Sequence, residues 1–136
     1  QLKKLSDGWR EGMAFLEDMP ECEFKDVAFI CGALFESSLN QARFIVECRA
    51  READPSDPGP ASRMADLAER ELRLARQVYR VMLRRPQIGY EAANHYYFSA
   101  GSIAEKIINC EYLIRRLKRR GEDVFDIETN HTVRED

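Results

Sequence analysis

The chain has 136 residues, 44% of them hydrophobic and 33% charged, with a formal net charge of −3. That length suits one domain with a core of its own, and that balance excludes an intrinsically disordered chain. No apolar run reaches the roughly 20 residues that a membrane-crossing helix needs, so no membrane partner is expected.

The first predicted helix runs from Leu2 to Met19, with Leu2, Leu5, Trp9, Met13 and Leu16 on one stripe and Pro20 as its stop. The pattern is already amphipathic at Gln1, which gives the expectation of a segment from a longer polypeptide. The second helix spans about Phe24 to Ala53. Its expected inner stripe is Phe24, Val27, Ala28, Cys31, Leu34, Phe35, Leu39, Ala42, Ile45 and Val46, with Phe29, Ile30 and Phe44 left for an outer, partner-facing surface. Glu36, Asn40, Arg43 and Glu47 form a polar stripe on the same helix, read as a solvated face with an Arg43–Glu47 pair or as the wall of a cleft.

"ADPSDPGP", residues 53–60, breaks the helical pattern. A third helix follows, about Ala61 to Arg84, with Met64, Leu67, Ala68, Leu72, Ala75, Val78, Tyr79 and Met82 on one side. Arg70, Arg73, Arg76, Arg80 and Arg84 lie on the other. The fourth helix starts near Ser99 or Ser102, where "SIAE" has the form of a capping box. Ile103, Ile107, Cys110, Ile114 and Leu117 form its seam, and Gly121 suits its end. The reading is therefore all-α: an antiparallel bundle of four main helices over 1–121, then a partly extended acidic tail over 122–136.

Two charged residues interrupt the apolar stripes. Arg49 falls on the expected inner face of the second helix and Glu71 on that of the third, which predicts a buried Arg49–Glu71 ion pair across the hairpin. Charge is also uneven along the chain. Residues 1–60 carry 7 basic and 12 acidic side chains, residues 61–121 carry 13 and 6, and residues 122–136 carry 1 and 6. The basic middle, with the five arginines of the third helix and "RRLKRRG", is the one nucleic-acid signal. A solvated helix face explains the same arginines.

Chemistry-bearing motifs are absent. The cysteines Cys22, Cys31, Cys48 and Cys110 lack C-x-x-C spacing, so they are read as reduced, mostly buried thiols of a cytoplasmic protein. A di-iron bundle needs Glu-x-x-His pairs, and neither histidine has one. No phosphate-binding loop, nucleophile elbow or zinc spacing occurs. No metal or cofactor is expected. The densest chemical cluster is "YEAANHYYFSAG", Tyr90 to Gly101. Aromatic faces flanked by Glu91, Asn94 and His95 suit sugar rings, and Tyr90, Glu91, Asn94, His95 and Tyr96 are the candidate ligand residues. They equally suit a tight joint between the third and fourth helices, the reading that leads.

The run "ERELRLARQVYRVMLRRPQIGYEAANHYY" into "EKIINCEYL", with "SLNQARFIVECRA" before it, resembles helical segments that follow the catalytic barrel in large bacterial glycoside-hydrolase-like proteins. The resemblance covers about the last two thirds of the chain and carries no catalytic signature. It implies a non-catalytic accessory domain, part of a carbohydrate-active protein, that packs on the catalytic domain or on a second copy and lends the Tyr90–Tyr96 cluster to the edge of a sugar cleft. "HYYFSAGSIAEKIINCEYLI" is also similar to small nucleotide-binding helical domains of the HEPN type, whose Arg-x4–6-His motif this chain lacks. A stand-alone bundle binding a polyanion or a partner protein through the arginine face is the alternative.

Overall fold

The computed structural model describes residues 1–89 and 99–119. Within them the chain is all-α, with helices α1 (Leu2–Ala14), α2 (Glu23–Ala53), α3 (Gly59–Arg84) and α4 (Ala100–Lys118). Each helix packs antiparallel on the next in sequence, and no other pairing among the four is substantial. α3 is the centre. Met64, Ala68, Ala75, Val81 and Met82 are each 4% exposed or less, while Arg70, Arg73, Arg76, Arg80 and Arg84 all face solvent. The acidic tail, Gly121 as a helix stop and the Tyr90, Glu91, Asn94, His95 and Tyr96 cluster lie outside the described residues.

The helix ends show local chemistry at work. α1 ends at Ala14, five residues before the expected Met19. Phe15, Leu16 and Glu17 continue as tight turns, with amide bonds to Gly12, Met13 and Ala14 at 3.2, 3.0 and 3.3 Å. Glu17 and Asp18 would place negative charge at a helix C-terminus, and the residue before Pro20 disfavours helical geometry. The α2–α3 connection is held by side-chain-capped turns. Asp54 Oδ1 accepts from the Ser56 amide at 3.1 Å, and Asp57 Oδ1 from the Gly59 amide at 2.8 Å. Pro60 then occupies the first turn of α3, where its missing N–H costs nothing. Ser99, not Ser102, caps α4. Its Oγ accepts from the Ser102 amide at 3.2 Å, while Ser102 Oγ accepts from the Ser99 amide at 2.8 Å, so serine takes the place that glutamate fills in the usual box.

The faces of α2 differ from the expected ones. The side against α3 is Asp26, Ile30, Ala33, Ser37, Asn40 and Glu47, so Ile30 is core and Phe29 and Phe44 are partly buried. Phe24, Val27, Leu34, Ile45 and Val46, read as inner, are 40–64% exposed. The cause is that α3 offers charge where α2 offers polarity. Asp26 is 2% exposed and takes Arg85 Nε at 2.5 Å and Arg84 Nε at 3.2 Å on one oxygen, with Arg84 Nη2 on the other. Near the connection, Glu47 pairs with Arg63 at 2.8 Å, not with Arg43.

Hydrogen bonding from Arg84, and then from Arg85, holds the Asp26 carboxyl below its ordinary value of 3.8 despite burial. Its stabilising contribution is therefore complete above that ordinary value and is lost as pH falls through the lowered one. Asp26→Asn is expected to cost about 2 kcal/mol at neutral pH. Urea unfolding at neutral and strongly acidic pH tests this, because the gap to the parent must close in acid.

Candidate functional site

Glu71 points from α3 into a cleft between α2 and α4. It is 8% exposed, and its carboxylate is fully engaged. Oε1 accepts from Ser37 Oγ at 2.5 Å and is ion-paired with Lys106 Nζ, and Oε2 accepts from Asn40 Nδ2 at 2.9 Å. Lys106 reaches across from α4 and also donates to Ser37 Oγ at 2.9 Å, as does Gln41 Nε2 at 3.0 Å. One proton given and two accepted saturate the Ser37 hydroxyl. Burial alone would raise the Glu71 carboxyl, but the bonds from Lys106, Ser37 and Asn40 outweigh it and keep it below its ordinary 4.5.

The expected Arg49–Glu71 pair does not form, and Arg49 is exposed. The hairpin register explains this. Glu47–Arg63 near the turn, Asn40–Glu71 midway and Asp26–Arg84 at the far end set Glu71 against the Ser37–Asn40 turn of α2. Arg49 lies about two and a half turns nearer the connection. The partner Lys106 comes instead from the fourth helix, which pairwise comparison of the second and third helices does not include.

Two apolar hollows of about 330 Å³ each flank the Lys106–Glu71 bridge, and Gln41 lines both. Ile30, Leu34, Val78 and Ile103 are among the walls of one. Phe44, Ile45, Leu67 and Leu113 are among those of the other. Among the described residues the polar partners of Ser37 Oγ are Glu71, Lys106 and Gln41, each already engaged. Cys110, at the wall of the second hollow, has its thiol pushed up by burial and then by the Glu71 charge, which disfavours the thiolate. Among the described residues no group of three or more His, Cys, Asp or Glu is placed to hold a metal ion, all four cysteines are free thiols, and no helix is long and apolar enough to cross a membrane.

The arginine face of α3 is partly neutralised. Arg73 lies 4.0 Å from Glu69 and Arg76 2.7 Å from Glu111, while Arg84 serves Asp26 and, at 3.4 Å, Glu21. Arg70 and Arg80 have no ion pair among the described residues. Comparison of the chain with family models, with curated proteins and with solved structures finds no match.

Proposed function

We propose that this chain is a non-catalytic helical interaction domain that buries the outer face of α2 against a protein surface. One observation carries the reading: Val27, Leu34 and Ile45 lie at helical spacing on one stripe, 40%, 47% and 54% exposed, beside the cleft that Leu34 and Ile45 also line. A row of large apolar side chains beside an apolar cleft marks a contact surface more than a solvated one. Leu34→Glu with Ile45→Glu tests it. At concentrations low enough that the parent is monomeric, the double variant is expected to keep the parent's circular dichroism and thermal midpoint and to lose binding of a dye that reports exposed apolar surface. Loss of the fold would show that the stripe belongs to the core and overturn the reading.

The resemblance noted in the sequence extends this to an accessory domain within a larger bacterial carbohydrate-active protein. That part rests on the resemblance alone, and calorimetric titration with soluble oligosaccharides, Tyr96→Ala serving as control, decides it. Polyanion binding through α3 is the weaker alternative, because acidic neighbours already occupy Arg73, Arg76 and Arg84.

A further inference from the structure

The stripe on α2 is longer than its apolar centre, and its ends carry opposite charge. It runs Glu23, Val27, Leu34, Ser38, Ile45, Arg49, in steps of four, seven, four, seven and four. These steps read the same in both directions. Turned end over end about its midpoint, the stripe places Val27 level with Ile45 of a second copy, Leu34 level with Ser38, and Glu23 level with Arg49. Glu23 and Arg49 are both exposed, and neither has an ion pair among the described residues. Opposite ends of one helix thus carry complementary charges that the described residues leave unmatched.

Ser38, the polar residue among the apolar positions of the stripe, already has a partner for its proton. Ser38 Oγ donates to the Leu34 carbonyl at 2.8 Å, and Gln41 Nε2, at the cleft edge, donates to Ser37 at 3.0 Å. The Ser38 proton is thus already spent, so covering that residue strands no donor. Ser38, small and level with Leu34 of the opposing helix, leaves room for that side chain in a ridge-and-groove packing. A helix laid along this stripe also borders the two hollows between α2 and α4, because Leu34 lines one and Ile45 the other.

From this we infer that the partner is a second copy of the chain. α2 packs antiparallel on its own counterpart about a two-fold axis near position 36, with Glu23 of each copy paired to Arg49 of the other. The inference rests on the interaction reading above and names its partner. A two-fold contact uses the same patch twice, so one charged pair appears at both ends of the seam.

Sedimentation velocity of the full chain over a range of concentrations, at low ionic strength, is the test. The expected result is a reversible dimer. Glu23→Arg or Arg49→Glu alone weakens association about tenfold or more, since each creates two like-charge contacts. The two changes combined restore association to near the parent's. Both sites are exposed, so circular dichroism should be unchanged in every variant. A chain that stays monomeric throughout, single reversals without effect, or a combined variant no better than the single ones would each overturn the inference. A monomeric chain whose Leu34→Glu, Ile45→Glu form stays folded and loses dye binding rejects the second copy and leaves the interaction reading standing. If that form unfolds, both fall.

Discussion

Lys106→Met is expected to lower the stability of the domain by about 3 kcal/mol, a drop of about 10 °C in the thermal midpoint for a chain of this size. Methionine preserves the length and most of the apolar stem of the lysine. What disappears is the cation beside a carboxylate that is 8% exposed. Glu71 would keep Ser37 and Asn40, two neutral donors, against the full burial cost of its charge. The pH dependence separates this cause from lost packing. In the parent, the Glu71 carboxyl lies below its ordinary 4.5, so its contribution is complete above that value and fades as pH falls through the lowered one. In the variant burial prevails, the carboxyl takes up its proton at higher pH, and the deficit shrinks as the medium is acidified. Urea unfolding from neutral pH down to about pH 4 should show the two curves converging. A deficit constant across that range would mean that the stem, not the charge, mattered. Glu71→Gln added to Lys106→Met should recover most of the loss at neutral pH, since no buried charge remains to be matched.

Gly32→Val is expected to cost about 3 kcal/mol and to loosen α1 from α2. A Cβ at position 32 would sit 2.4 Å from Trp9 Cδ1 and 2.8 Å from Trp9 Nε1. The ring has little freedom to yield. Its Nε1 donates to the Ala28 carbonyl at 2.8 Å, and its face meets the Phe35 ring with centroids 5.5 Å apart. The gain in helix propensity over glycine recovers well under 1 kcal/mol. Trp9 is the chain's single tryptophan, so its fluorescence reads the event directly. The emission should move to the red and become more open to quenching. An unchanged spectrum would show that the ring can shift without exposing itself, and that α1 stays docked.

How much of this was legible in the sequence depends on whether a residue's partner lies on its own helix. The inner face of α3 was legible because apolar and charged residues segregate cleanly, with Met64, Ala68, Ala75 and Met82 on one side and the arginines on the other. The end of α2 and the start of α3 followed from the break "ADPSDPGP", residues 53–60. The inner face of α2 was not legible by apolar content. The richer stripe, Phe24, Val27, Leu34, Ile45 and Val46, is the exposed one, and the seam on α3 contains Asp26, Ser37, Asn40 and Glu47. Those polar residues become intelligible only when set against Arg84, Arg85, Glu71 and Arg63. The signal that could have found the seam was the four- and three-residue spacing of Asp26, Ile30, Ala33, Ser37, Asn40, Phe44 and Glu47, read together with the charges on α3. Asn40 did stand out as a possible cleft residue. Lys106 did not, because on its own helix it looks like any solvated lysine, and only the third dimension brings it over Glu71.

The head-to-tail packing of the helices also bears on how the chain finds its fold. Because α1 packs on α2, α2 on α3 and α3 on α4, most tertiary contacts close a single hairpin between neighbours. The main exception is the reach of Lys106 to Ser37, 69 positions apart. A search made of local closures has little loop entropy to overcome at each step and few wrong topologies in which to be trapped. The Lys106 bridge is then the contact that joins otherwise separate hairpins into one cooperative unit, and its formation marks the point at which α4 ceases to be an appendage of α3 alone.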